Sequence, residues 1–186
     1  MSVRPVRIYG DPVLRERARE VTSVDDTLRQ LIADMRETMR AYGGVGLAAN
    51  QVGVAQQLLV VDVPGEGEQR LRHALINPVV KRRAGSVSGE EGCLSVPGLW
   101  EDVTRAERLV VTGLDEEGGA VELDVEGYLA RAIQHEMDHL EGVLFVDRLS
   151  ALKRQFLRRS LDALARGEIP EDHHPTEPEH DPGGRF

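Results

Sequence analysis

The chain has 186 residues, 40% hydrophobic and 30% charged, enough to bury one sizeable core in a single domain. Its net charge of −9 argues against non-specific binding to phosphate backbones or anionic membranes. A single cysteine, Cys93, excludes an intrachain disulfide and suits a reducing compartment; with no apolar secretory leader at the start and "LLVVDV" far too short to span a bilayer, the expected location is the cytoplasm.

Residues 1–22 read as an extended or irregular arm broken by Gly10-Asp11-Pro12. From Thr27 to Tyr42, Leu28, Leu31, Ile32, Met35 and Met39 recur at helical spacing, with Ser23 or Asp25 as cap and Gly43 as stop. The apolar, glycine-rich "GGVGLAANQVG" predicts a tightly packed loop. "QQLLVVDV" and "HALINPVV" predict strands around a turn at "PGEGEQ", and "RLVVTGLDEEGGAVELDVEG" predicts two more joined at Gly118-Gly119. Residues 127–141 predict a helix whose apolar face is Leu129, Ile133, Met137 and Leu140, ended by Gly142. A last helix, about Ser150 to Arg166, carries Leu152, Phe156, Leu157, Leu161 and Leu164. The expected organisation is one domain over 1–166 and a disordered, acidic, proline-rich tail over 167–186. Helix, strands, then two helices favour an α+β fold over alternating βαβ units.

The stretch "QHEMDHLEG" places His135 and His139 on one helical face, about 6 Å apart along the axis, so both imidazoles can converge on one ion. Glu136 lies about 100° around the helix, suited to act as a base on water beside that ion. Alone, such a motif also occurs on solvated helices. Asp138 and Gln134 are candidate partners for the histidines' second nitrogens, with a surface charge as the plain reading of Asp138. A third ligand is harder to place. Glu141 falls on the far side of the helix, Asp147 is a weak option, and His173, His174 and His180 sit in the tail. Cys93, in "GEEGCLSVPG", offers an upstream thiolate; a lone buried cysteine is otherwise an inert small hydrophobe. Cys/His/His with one further position is an open, catalytic pattern.

Three separated motifs, "GVGLAANQ" (Gly44 to Gln51), "EGCLS" (Glu91 to Ser95) and "QHEMDHL" (Gln134 to Leu140), with "GDPVLR" near the start, resemble the peptide deformylase family over about residues 3–165. The resemblance implies small mixed or antiparallel sheets packed around a central metal-binding HExxH helix, flanked by an N-terminal and a C-terminal helix. It implies removal of the formyl group from N-formylmethionyl nascent peptides, with formate as product. Cys93, His135 and His139 map to the metal ligands, Glu136 to the general base and acid, and Gln51 and the Leu94 N–H to donors for the tetrahedral oxygen. Gly46 is expected to touch substrate backbone, and Val45, Ile133 and Leu129 to line a methionine pocket. Glu91 and Arg105 are further partners near the site, and Trp100 stands as an apolar rim where some relatives carry an arginine. The implied cofactor is one divalent ion, iron(II) first, with zinc, nickel or cobalt fitting the same donors. The implied partners are formylated nascent chains and the ribosome near its exit tunnel, the latter through the basic face of "LKRQFLRR"; no membrane or sequence-specific nucleic acid is expected.

Two other readings compete. A zinc endopeptidase on the same helix would be indifferent to loss of Cys93, and a structural-metal module would close its site with a fourth side chain. A degenerate deformylase-like paralogue would show an altered motif, and none is altered here.

Overall fold

A computed structural model describes residues 2–65 and 67–175. Helix α1 (Asp26–Ala41) starts where the Asp25 side chain accepts the Leu28 N–H. Seven strands come next: β1 (Gly46–Ala48), β2 (Leu58–Pro64), β3 (Arg70–Ala84), β4 (Val87–Cys93), β5 (Val96–Arg105), β6 (Arg108–Leu114) and β7 (Ala120–Glu126). Helices α2 (Gly127–Leu140) and α3 (Ala151–Ala165) complete the α+β order. Strands β1-β2-β3-β6-β7 form one sheet and β4-β5 a second, with every pair antiparallel. A lone parallel bridge ties Arg19 of the N-terminal arm to Gln56.

The continuous apolar run of β2 is explained by burial on both faces. Leu58 and Val60 join the core under α1, with Ile32, Met35 and Met39, while Leu59, Val61 and Val63 join the core under α2, with Leu129 and Ile133. A third apolar cluster holds the β4–β5 hairpin against Leu14, Leu144, Phe145, Leu161 and Leu164. α2 thus lies between the large sheet and the hairpin.

Three expectations shift. The arm contains a short 3₁₀ turn (Pro12–Arg15), and its Val6, Leu14, Ala18 and Val21 are buried, so it is part of the core's wall. In α3 only Leu161 and Leu164 are buried, with Leu157 half-buried against the same cluster; Leu152 and Phe156 stand 62% and 77% exposed. The tail expected to lose structure at Gly167 instead folds back, with Pro170 against Gly98 and the His173 ring against Tyr42. Its remainder, with His180, lies outside the described residues. Among the described residues no helix is long and apolar enough to cross a membrane.

The end of α2 is fixed by Gly142 at φ +73°, whose N–H reaches His139 O while Val143 N–H reaches Asp138 O. A Cβ at Gly142 would lie 2.6 Å from Arg15 O, against rigid backbone. Gly142→Ala is expected to cost about 2 kcal/mol and to lower Tm by about 4–8 °C in thermal unfolding; an unchanged Tm would show that the arm yields freely there.

Candidate active site

Three motifs distant in the chain meet at one point. β4 ends at Cys93, and a two-residue turn, Leu94-Ser95, leads into β5, with Cys93 paired to Val96. The register slips between Glu91 and Cys93, so the ladder is interrupted at Gly92. A Cβ at Gly92 would sit 2.8 Å from the Trp100 ring, so glycine is what lets the indole lie against the strand. The expectation of Trp100 as a rim fits its 38% exposure and its place in the cleft beside Cys93 and Leu94.

From α2, His135 and His139 face the hairpin with ring centroids 5.1 Å apart. His139 Nε2 is 3.3 Å from Cys93 Sγ, and the ligand atoms of Cys93, His135 and His139 all lie within 4.8 Å of one another. The three residues are at most 5% exposed. Phe145 stacks behind His135. This is a candidate metal site by donor chemistry and by burial: one thiol and two imidazoles from distant parts of the chain converge. Glu136 Oε2 and His139 Nδ1, both buried, have no hydrogen-bond partner, which in a packed interior signals a group reserved for something outside the fold.

The expected orientation of the histidines is corrected. Gln134 bonds the main chain of Ala106 and Ala130, and Asp138 bonds Arg105 and Arg148; neither reaches a histidine. His135 Nδ1 instead meets Glu91 Oε2 at 3.0 Å. Glu91 is fully buried and takes two contacts of 2.8 Å from Arg105 and one of 2.7 Å from Arg131. Arg131 had no place in the sequence reading, although it lies one helical turn before His135 on the same stripe. It also donates to Val103 O and Val87 O, stapling α2 to both strands of the hairpin.

These surroundings divide the carboxylates. Burial alone would raise Glu91, but the Arg105 and His135 bonds and charges hold it far below the usual carboxylate range. Burial raises Glu136 to about 7, helped by the charge of Glu91 and opposed by His135 and Arg105. Burial lowers His139 well below the ordinary histidine value, whereas for His135 it is outweighed by Cys93, Glu91 and Glu136, which raise it to about 10. The two rings are therefore pushed in opposite directions.

From the glycine-rich loop, Gln51 Oε1 accepts the Ala48 N–H, which fixes the amide and turns Nε2 toward Cys93 Sγ (3.6 Å) and Ser95 Oγ (3.2 Å). Leu94 sits beside them, 5% exposed. Gly46 lies in β1, the outer strand of its sheet, and a Cβ there would meet Glu136 Oε1 at 2.3 Å. The structure thus gives Gly46 a reason beyond close approach of a ligand: it makes the space the Glu136 carboxylate fills. Val45 and Ile133, expected in a side-chain pocket, are 1% and 0% exposed and packed in the core beneath α2, as is Leu129 apart from a 6% edge. Downstream alternatives for the third ligand are engaged elsewhere, Glu141 with Arg17 and Asp147 with Arg15.

Comparison with known proteins agrees with the geometry. The family model for polypeptide deformylase matches residues 3–155. The chain belongs to the polypeptide deformylase family. A peptide deformylase of Alkalilimnicola ehrlichii is 51% identical over 166 residues, spanning 89% of this chain and 93% of that relative. A crystal structure of a peptide deformylase from Legionella pneumophila, 43% identical, superposes with a TM-score of 0.81 over 90% of this chain and 98% of that one. The Ehrlichia chaffeensis peptide deformylase in complex with actinonin, 39% identical, gives 0.84 over 91% and 100%. The endopeptidase reading is not supported.

Two substitutions test the site's construction. Glu91→Gln leaves Arg105 and Arg131 buried without their anion and is expected to cost about 3–5 kcal/mol in denaturant unfolding; a loss near zero would mean that the carboxylate is not what the arginines require. Gly46→Ala should spare most of the stability yet displace Glu136, lowering kcat by about 100-fold or more. Wild-type turnover in that variant would show that the carboxylate tolerates a shift.

Proposed function

We propose that the chain hydrolyses the N-formyl group of formylmethionyl nascent peptides, releasing formate and a free amino terminus. The observation that carries this reading is the convergence of Cys93, His135 and His139 within 4.8 Å, with the unpartnered Glu136 carboxylate beside them. Cys93, His135 and His139 would hold a divalent cation, which when bound would supply Lewis acidity toward the amide carbonyl and water. Iron(II) is the ion we favour, and zinc, nickel and cobalt suit the same donors.

This chain's residues do the rest. Glu136, poised at about 7, accepts a proton from the attacking water at Oε2 and returns it to the departing amine. Gln51 Nε2, held by the Ala48 contact, and the Leu94 N–H donate to the oxygen that gains negative charge. Glu91 keeps the His135 ring oriented through Nδ1. The outer edge of β1 at Gly46 offers main-chain groups along which a peptide can add as a strand. The methionine side chain needs an apolar recess next to this edge; Val45 and Ile133 support its floor from within the core, and Leu129 is the candidate with some surface. The compartment that suits such a substrate is the cytoplasm. The exposed Leu152 and Phe156 of α3, among Arg154, Arg158 and Arg159, are the face we assign to ribosome contact.

The test is formate release from formyl-Met-Ala-Ser by anaerobically prepared, iron-loaded protein. Glu136→Gln, checked for equal metal content, should lose about 10²–10⁴-fold in turnover. Absence of formate above that control would overturn the assignment, and cleavage of internal peptide bonds would restore the endopeptidase.

A further inference from the structure

Residues 168–174 lie beyond the stretch matched to the family, yet they dock beside the reactive centre. The chain leaves α3 at Gly167 (φ +82°), and a turn closes where His173 N–H meets Pro170 O at 3.0 Å. Pro170 lies over Gly98, 3.5 Å from where a Cβ would stand, an ordinary van der Waals separation. The His173 ring packs on Tyr42 at 5.4 Å between centroids and reaches the main chain of Leu94. Beneath it lies a cavity of about 80 Å³ whose wall runs from Cys93 and Leu94 to Trp100 and whose roof is Asp172, His173 and His174. Sites that accept an organic ligand are typically about 300–1,000 Å³, so the cleft with this roof in place is much smaller than a ligand site. Among the described residues no ion pair ties 169–174 to the body, and the hold consists of these few contacts. Such a segment opens at little cost.

We propose that His173 is a specificity-determining residue: carried by 168–174, it fills the cleft past Leu94, Tyr42 and Trp100, so that a peptide displaces it only if its residues beyond the formylated one are long enough and bind firmly enough. The idea rests on the deformylase reading for its substrate, though not for its geometry. A minimal substrate that ends before Leu94 leaves the strap in place. A longer peptide must lift it, and its apparent affinity falls by the fraction of time the cleft is open.

The test uses full-length protein with Pro170→Gly and His173→Gly together, and His173→Ala alone as the milder variant. The first measurement is the rate at which a thiol-specific disulfide reagent modifies Cys93 in metal-free protein, which needs no catalysis. We expect about tenfold faster modification in the double variant and an intermediate rate for His173→Ala. The second is KM: for a formylated tetrapeptide it should fall by about three- to tenfold, while that of formyl-methionine amide stays where it is. An unchanged Cys93 rate overturns the proposal, whatever the enzyme does, and so does a KM that moves equally for both substrates or for neither. Absence of formate release in every protein would strike the functional reading alone, since the thiol rates would still report the strap.

Discussion

Glu91 is a carboxylate with no exposed surface, on a two-stranded hairpin that shares no hydrogen-bonded edge with the main sheet. Taking such a charge out of water costs several kcal/mol, and nothing apolar nearby returns it. What offsets the cost is a set of three donors: Arg105 from β5, and Arg131 and His135 from α2. Each arginine is itself anchored further, Arg105 to Asp138 and Arg131 to the carbonyls of Val87 and Val103. The arrangement contributes geometry more than stability. Two elements that touch through little else are locked in a single relative position, and that position brings a sulfur on one within bonding range of two imidazoles on the other.

The same site holds a second carboxylate under opposite conditions. Glu91 is surrounded by cations and stays ionised; Glu136, set against a glycine and the edge of β1, has a free oxygen and a proton affinity near neutrality. Environment has given the two carboxylates opposite proton affinities, the condition under which paired carboxylates can take separate roles. Gly46 belongs to this division. A Cβ there would fall 2.3 Å from Glu136 Oε1, so the missing side chain leaves that carboxylate its place.

How much of this was legible depended on whether a signal was local. α1 and α2 carried their helical spacing and stop glycines in plain order, α1 its cap as well, and β2 showed its double burial as an unbroken apolar run. The hairpin did not: "VSGEEGC" and "VPGLWEDVTR" lack alternation, because β4 buries charge at Glu91 and glycine at Gly92 instead of a hydrophobic face. The motifs gave the donors but not their supports. Gln134 and Asp138 adjoin the histidines in sequence, yet orientation on a helix sends them to Ala106 and Arg148; the partner of His135 comes from 44 residues away. α3 misled in a different way, since amphipathic spacing states that a face could be buried and not that a neighbour exists to bury it. The composition after Gly167 was that of a solvated tail, and its contacts there, with Gly98 and the Tyr42 ring, come from far off in sequence.

The origin of the third donor also bears on what the site can accept. Here the sulfur comes from a tight turn folded over the helix, Phe145 closes the space behind His135, and the donors are nearly sealed from solvent. An internal peptide bond would have to bring backbone in from two sides through that wall. A formyl group on a chain end carries only a hydrogen on its far side. On the proposed reading it would enter head first, with the peptide along the outer edge of β1, and the wall that Phe145 makes behind His135 would favour a terminal amide over an internal one.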